Sequence, residues 1–251
     1  MRRLQLLLAL AVALLPAGSR AQTGAKAWLE SAMSGLRSSG RLAVRQQGTW
    51  EFDGRQRGFV NELWFEASPS EGTGPRLELR ETWDGTLLKR TVADGRNLWV
   101  FEPGSKRYSV WNYGGYAEHP AADGLRRMLA AFRARAAGTA GWLARLLDEA
   151  WGSEGARWTP WIPFASETVA DGRIVLRGPD DSRGFLFAVD GSLEAARLLS
   201  IRYAQRETIG GRAWQLVWDA DLGWSDPPAG SFRFVPEKGA VPVVWPSPKL
   251  G

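Results

Sequence analysis

The sequence predicts an α+β protein: a half-open antiparallel β-barrel of about eleven strands, with three helices lying in its mouth over an apolar interior. First, stretches rich in β-branched and aromatic residues, with alternating polarity, occupy much of the chain. Second, Asp-Gly dipeptides, which close tight hairpins, separate several of them. Third, helical segments lie before and between the strands, and the concave face of a long curled sheet is where they can bury their apolar sides.

The first helix is predicted over residues 25–39. Apolar side chains recur there at three- and four-residue spacing, and Gly40 supplies a stop signal. The apolar stripe consists of Trp28, Leu29, Ala32, Met33 and Leu36. One such stripe predicts a helix that packs a single face against the rest of the fold.

Six strands are predicted after this helix. They cover residues 41–52, 59–66, 76–83, 87–92, 98–101 and 108–111. The turns at residues 53–54, 84–85 and 94–95 are Asp-Gly, which adopts positive φ at low cost, so neighbouring strands should pair as an antiparallel meander. In residues 98–101 both alternate sets of side chains are apolar, so we expect one pair to face the interior and the other to pack outside.

Two further helices are predicted in the middle of the chain. Asp123 is a candidate cap for the first of them, which Gly138 ends, and Thr139 is a candidate cap for the second, which Gly152 ends. Their apolar faces carry Leu125, Met128, Leu129 and Phe132 in the first helix, and Trp142, Leu143, Leu146, Leu147 and Trp151 in the second. Such stripes are more often core than ligand site, so periodicity alone does not make them a lid.

The strand pattern resumes after the helices. It covers residues 167–176, 184–189, 197–205, 212–220 and 231–235, with turn signals at 171–172, 190–191 and 210–211. Residues 241–251 hold three prolines and are predicted to be a Pro-rich C-terminal tail. Because no linker interrupts the pattern, residues 22–240 are predicted to form a single domain.

Residues 1–21 have the pattern of a secretory signal peptide. Met1-Arg2-Arg3 is positively charged, an apolar run follows, and Ser19-Arg20-Ala21 is a small-x-small cleavage site. The run is shorter than the roughly 20 residues that a membrane span needs, so we expect cleavage and a soluble protein in a bacterial periplasm. Removing Arg2, Arg3 and Arg20 lowers the formal net charge from +5 to +2, so nucleic acid is not an expected partner.

The composition argues against several kinds of chemistry. The chain has no cysteine and one histidine, His119, which lacks the partners that an acid/base or metal site needs. Asp219 and Asp221 share a strand face, but two carboxylates are too few for a calcium site. We therefore expect no catalytic residue, no metal, no cofactor and no enzymatic activity. The 14 tryptophans indicate instead a need for aromatic surface, in the core or in a cavity.

Two segments resemble a known family. Residues 93–103, ADGRNLWVFEP, with a strand at 106–110, resemble the DGKxLWxYxP hairpin of the LolA-like family of periplasmic lipoprotein carriers, which includes the LolA, LolB and RseB types. Residues 232–241, FRFVPEKGAV, are similar to that family's terminal FxFxPPxGxxV strand. The order of helices and strands between them also agrees, so the resemblance covers nearly all of the chain after the leader.

The resemblance implies a carrier or chaperone that binds acyl chains of lipoproteins in a hydrophobic cavity and shuttles them towards the outer membrane. Its implied partners are acylated lipoproteins or other lipids, an inner-membrane lipoprotein exporter and an outer-membrane receptor, and we expect a monomer. A different reading stays open: a static binder or sensor of another lipid or hydrophobic ligand in envelope homeostasis. The sensor branch of the family usually carries an additional C-terminal domain.

The resemblance makes the apolar residues of the strands and central helices candidate cavity and lid residues. These are Trp50, Trp64, Leu77, Leu79, Trp83, Trp99, Phe101, Leu125, Met128, Leu129, Phe132, Trp142 and Leu146. Family carriers often have an arginine that latches the lid, just before the proline that opens the third strand, where this chain has Gly74. Arg76 and Arg80 are the candidate substitutes, although alternation places both on the strand face opposite Leu77 and Leu79.

Overall fold

The computed structural model describes residues 17–67, 74–113, 121–136, 138–151, 166–178, 186–223 and 225–244. Within these ranges the chain forms three α-helices, a short 3-10 helix and one twelve-stranded sheet. The sheet does not close on itself, so the prediction of an open α+β half-barrel is confirmed.

The helices are α1 (Ala17–Ser39), α2 (Ala121–Arg135) and α3 (Gly141–Trp151), with the 3-10 helix Gly138–Ala140 between the last two. The first six strands are β1 (Arg41–Phe52), β2 (Arg55–Glu66), β3 (Arg76–Trp83), β4 (Thr86–Asp94), β5 (Asn97–Glu102) and β6 (Arg107–Asn112). The others are β7 (Ser166–Ala170), β8 (Arg173–Arg177), β9 (Leu186–Ser192), β10 (Arg197–Ile209), β11 (Arg212–Leu222) and β12 (Val241–Pro242).

Two antiparallel meanders join into one sheet. The strand order is β12-β6-β5-β4-β3-β2-β1-β11-β10-β9-β8-β7, and β1 pairs with β11 in the middle. The aspartates of two predicted hairpin turns adopt positive φ, 53° at Asp53 and 47° at Asp84, whereas in the turn at 94–95 it is Gly95 that does so, with φ 101°. Local turn chemistry therefore sets the order of neighbouring strands within each meander.

The helices pack on one face of this sheet, here called the inner face; the opposite side is the outer face. A single buried cluster joins apolar residues of all three helices to alternate residues of the strands. Trp28 of α1 anchors this packing, because its indole Nε1–H donates to the carbonyl of Ser192 at 3.2 Å. A Cβ atom on residue 191 would lie only 2.3 Å from carbon atoms of the Trp28 ring. Position 191 of the strand must therefore be glycine.

The C-terminal part of the chain differs from the prediction. Residues 231–235 form no strand; instead they cross the outer face, where the Phe234 ring stacks on Trp99 with centroids 5.0 Å apart. The alternating aromatics there serve outer-face packing and not strand pairing. The last strand is β12, which pairs parallel to β6 inside the segment expected to be a tail. The N–H groups of Val241 and Val243, on either side of Pro242, donate to the carbonyls of Lys106 and Tyr108.

The structure describes only part of the two ends of the chain. Helix α1 begins at Ala17, earlier than the predicted residue 25, and residues 1–16 and 245–251 lie outside the described residues. The signal peptide at 1–21, the domain at 22–240 and the tail at 241–251 therefore stay predictions. His119 and Gly152 also lie outside the described residues.

Candidate ligand-binding site

Six of the predicted cavity residues meet on the inner face. They are Leu77 and Leu79 of β3, Met128, Leu129 and Phe132 of α2, and Leu146 of α3, and none is more than 2% exposed. Leu125 and Trp142, both half-buried, pack against the same cluster. The helices thus fill the interior of the half-barrel with their own side chains, so the interior is closed in this structure.

An aromatic group extends the inner face beyond this cluster. Trp50 and Trp83 lie with ring centroids 6.3 Å apart, and Phe59 lies 5.7 Å from Trp83. Trp142 of α3 contacts Trp218 of β11 at 4.5 Å. Trp50 and Trp83 are only half-buried, so this group offers an apolar surface that continues from the core towards solvent.

Three of the predicted cavity residues lie on the outer face. Trp64 pairs with Glu78 across β2 and β3, while Trp99 and Phe101 pack against Phe234 at 5.0 and 5.9 Å. In β5 it is Leu98 and Val100 that face the helices. The expectation that this strand uses both faces is correct, but alternation did not reveal which pair lies inside. Trp64, Trp99 and Phe101 therefore do not line the interior.

The two candidate latch arginines also lie on the outer face. The Arg76 guanidinium pairs with Glu66 at 2.9 Å and stands 5.4 Å from the centre of the Phe232 ring. Arg80 donates through Nε to Glu78 Oε1 at 2.7 Å. These contacts hold outer-face side chains and the C-terminal segment, whereas the helices pack on the opposite face.

A different ion pair ties the helices to the inner face. Lys89 of β4 lies 2.7 Å from the Glu81 carboxylate of β3 and donates to the carbonyl of Arg135, at the end of α2, at 3.3 Å. Cations are favoured at helix C-termini, where carbonyls lack intrahelical partners. Burial raises the pKa of the Glu81 carboxyl, although Lys89 opposes this through its charge and a hydrogen bond. Lys89 is thus positioned as a latch between sheet and lid.

Part of this latch was visible in the sequence. Strand alternation from Leu77 and Leu79 places Glu81 on the same apolar face, which is an unusual position for a carboxylate. The partner was not visible, because the pairing of β3 with β4 shifts between Glu81 and Thr82 and leaves Lys89 opposite Glu81.

The two central helices are also tied to each other and to α1. Arg133 of α2 pairs with Asp148 of α3 at 3.1 Å, on the exposed side of the helices. Arg37 of α1 donates through Nε to the carbonyl of Ala150, at the end of α3, at 2.7 Å. The pair α2–α3 is therefore linked as a unit, and the bond from Lys89 connects its α2 side to the sheet.

A cavity of about 860 Å³ opens beside the second half of α1. Its apolar walls include Leu36, Leu42, Phe65, Leu198 and Leu222, which belong to the core or pack against it. Charged side chains of Arg41, Glu66 and Arg197 also line it. The volume falls within the range of small-molecule sites, so this cavity adjoins the filled interior and can hold a ligand without any movement of the helices.

The described part of the chain shows no metal-binding arrangement of side chains. There, no group of three or more His, Cys, Asp or Glu side chains is arranged to hold a metal ion. Asp219, considered as a cation ligand, is paired with Arg202 at 2.6 Å. Among the described helices, none has the length and apolar character of a membrane span.

Comparisons with known proteins yield only distant likenesses in structure. No family model and no curated protein matches the chain. An uncharacterized conserved protein from Thermus thermophilus is 9% identical, with a TM-score of 0.40, over 87% of this chain and 98% of that one. The MucA/MucB complex of Pseudomonas aeruginosa gives 13% identity and a TM-score of 0.34, over 83% of this chain and 60% of that one.

A putative outer membrane lipoprotein-sorting protein domain from Vibrio parahaemolyticus gives 10% identity and a TM-score of 0.32, over 77% of this chain and 89% of that one. The chain spans about three fifths of the matched chain of the MucA/MucB structure. At these identities and scores, the likenesses assign neither a family nor a function to the chain.

Proposed function

We propose that the protein is a periplasmic carrier that binds acyl chains of lipoproteins between the inner face of the sheet and the helices α2 and α3, and that it performs no catalysis. The observation that carries this proposal is the convergence of buried apolar side chains from β3, α2 and α3 in one cluster. An acyl chain can replace these helix contacts with equivalent apolar contacts. The exporter, the receptor and the monomeric state belong to the proposal through the LolA-like motifs.

The energetics of such an exchange favour reversibility. Each methylene that a ligand buries contributes about 0.8 kcal/mol, so the acyl chains of a lipoprotein have a large drive to leave water. Displacing α2 from the sheet removes Met128, Leu129 and Phe132 from the core, and the incoming chain covers the surface that they leave. The free energy gained by burying the acyl chain is therefore offset by the free energy lost when the helix side chains leave the core. A carrier needs this balance because it must also release its cargo.

The static-binder reading has one observation of its own. The cavity of about 860 Å³ beside α1 is open while the interior is closed. A small hydrophobic ligand can bind there with α2 and α3 in place. The two readings consequently differ in whether the lid must move.

A cross-linking experiment separates these readings, because the chain has no cysteine of its own. The double variant Lys89→Cys/Arg135→Cys, joined by a short reducible bifunctional maleimide, ties α2 to the sheet. The control is Arg133→Cys/Asp148→Cys, whose wild-type side chains meet at 3.1 Å and which ties α2 to α3 only. Binding is measured with a tripalmitoylated peptide by a change in tryptophan fluorescence.

The carrier proposal predicts that the first cross-link abolishes binding, that reduction restores it, and that the control binds whether cross-linked or not. Binding that persists in the cross-linked Lys89→Cys/Arg135→Cys protein would place the ligand in the cavity beside α1 and favour the static binder. Absence of binding in every uncross-linked protein would refute the carrier proposal outright.

The cargo is identified by mass spectrometry of proteins and lipids that copurify from the periplasm without detergent. Several triacylated proteins at low stoichiometry support a carrier. One stoichiometric free lipid without acylated protein supports the static binder.

A further inference from the structure

A pair of amide side chains is buried in the middle of the apolar inner face. Gln46 of β1 and Asn61 of β2 stand directly opposite each other, and both are 0% exposed. Asn61 Nδ2 donates to Gln46 Oε1 at 2.9 Å and to Thr139 Oγ1 at 3.1 Å. Thr139 belongs to the 3-10 helix between α2 and α3, so the connection of the two lid helices covers the amide pair.

One donor and one acceptor of the pair form no hydrogen bond. Gln46 Nε2 and Asn61 Oδ1 are buried and have no hydrogen-bond partner in the structure. Reversing both amides exchanges the roles of the atoms but still leaves one donor and one acceptor. Buried side-chain polar atoms are normally paired, because an unpaired one loses its bonds to water without replacement. The pair therefore costs stability in the closed form.

The neighbours of the pair along β1 and β2 are apolar, whereas across the sheet Asn61 stands opposite the buried Glu81 of β3. On one side the next inner-face positions are Val44 and Leu63, which are 0% exposed. On the other side they are Gly48 and Phe59. Gln46 and Asn61 thus continue the polar row of Glu81 and Lys89 across the inner face, with apolar positions on both sides of them along β1 and β2.

We infer that Gln46 and Asn61 bind the polar linkage of the cargo lipid, a group that offers one acceptor and one donor, such as the secondary amide that joins an acyl chain to an amine. This inference rests on the proposed function and specifies its ligand. When α2 and α3 move away, Thr139 leaves with them and the amide pair is uncovered. The ligand carbonyl then accepts from Gln46 Nε2, and the ligand N–H donates to Asn61 Oδ1, while the tail lies on the apolar inner face.

The test compares two amphiphiles with the same head group and the same saturated tail, joined by an amide in one and by an ether in the other. The ether oxygen can accept a hydrogen bond but cannot donate one. The two lipids therefore differ by one hydrogen bond, which contributes roughly 1 kcal/mol, so calorimetric titration of the wild type should show binding of the amide lipid about fivefold tighter.

The double variant Gln46→Leu/Asn61→Leu removes both amides together, so neither amide is left without the other, and in the closed form it also removes the donor to Thr139 Oγ1. We expect it to bind the ether lipid like the wild type and to lose the preference for the amide lipid. Thr91→Val is the matched control, since Thr91 is also a buried polar side chain, 1% exposed, and it should keep the preference. Gln46→Met serves as a second variant if the double variant does not fold, and it should reduce the preference.

Equal binding of the two lipids by the wild type, or a preference that persists in the variants, overturns the inference and leaves the proposed function standing. Failure of the wild type to bind either lipid refutes the proposed function itself.

Discussion

Replacing Lys89 by methionine tests how the lid is held to the sheet. The ammonium group lies 2.7 Å from the Glu81 carboxylate and 3.3 Å from the carbonyl of Arg135. The side chains are 19% exposed at Lys89 and 9% exposed at Glu81, so water screens this pair only in part. Lys89→Met removes the cation, keeps most of the side-chain volume and leaves a buried carboxylate without its partner.

The expected loss of stability follows from that isolated carboxylate. Removing one partner of a fully buried ion pair costs about 3–5 kcal/mol, and the partial exposure here places the expectation near the lower limit, about 3 kcal/mol at neutral pH. The double variant Glu81→Met/Lys89→Met removes both charges and should be within about 1 kcal/mol of the wild type. The comparison separates the cost of the unpaired carboxylate from the value of the pair.

The loss should depend on pH in a defined direction. Burial raises the pKa of Glu81 in the folded protein, so the folded state holds this proton more tightly than the unfolded chain does. The contribution of this carboxyl to stability is present below its ordinary pKa of 4.5 and is lost as the pH rises through the raised value. Lys89→Met removes the two effects that lower this pKa, so the deficit of the variant should shrink on acidification.

The assay is urea unfolding of the wild type and both variants at about pH 8 and about pH 5, followed by tryptophan fluorescence. A loss of unfolding free energy in Lys89→Met that is the same at both pH values, or one that the double variant shares in full, would refute the reasoning.

The double variant should also bind acylated peptide more tightly, because loss of the bond to α2 raises the population of the open form. Unchanged binding would show that Lys89 does not restrain the lid.

Two further predictions concern the sheet and its outer face. Gly48→Ala should destabilise the protein by about 3 kcal/mol in urea unfolding, because its Cβ would lie 2.1 Å from the carbonyl oxygen of Val217; near-wild-type stability would mean that β1 and β11 are further apart than described. Phe234→Ala should lower stability by about 2 kcal/mol, since the ring packs on Trp99, but should leave the affinity for acylated peptide unchanged; a parallel loss of affinity would place the ligand on the outer face.

Much of the fold could be predicted because local signals decide it. The predicted strands at 41–52 and 76–83 match β1 and β3 residue for residue. Asp-Gly turns close several hairpins, although the turn predicted at 190–191 is wrong because these residues lie inside β9. Alternation fixes which side chains share a face, as at Leu77 and Leu79 against Arg76 and Arg80.

The parts that could not be predicted depend on contacts between distant segments. Trp99 and Phe101 have the pattern of interior residues, and only the packing of Phe234 against them shows that they lie outside. Residues 231–235 have strand character, but they pack across the outer face instead of pairing with a strand. The latch formed by Lys89 depends on a shift in strand pairing that leaves no mark in the residue pattern.

Photolabelling tests the central claim most directly, which is that acyl chains bind between the inner face and the lid helices. An acylated peptide whose tail carries a diazirine is bound to the wild-type protein and irradiated, and the labelled residues are mapped by mass spectrometry. The proposal predicts labels on the inner-face residues Leu77 and Leu79 and on Met128 to Phe132 of α2. Labels confined to Trp99, Phe101 and Phe234 on the outer face, or to the cavity beside α1, would contradict it.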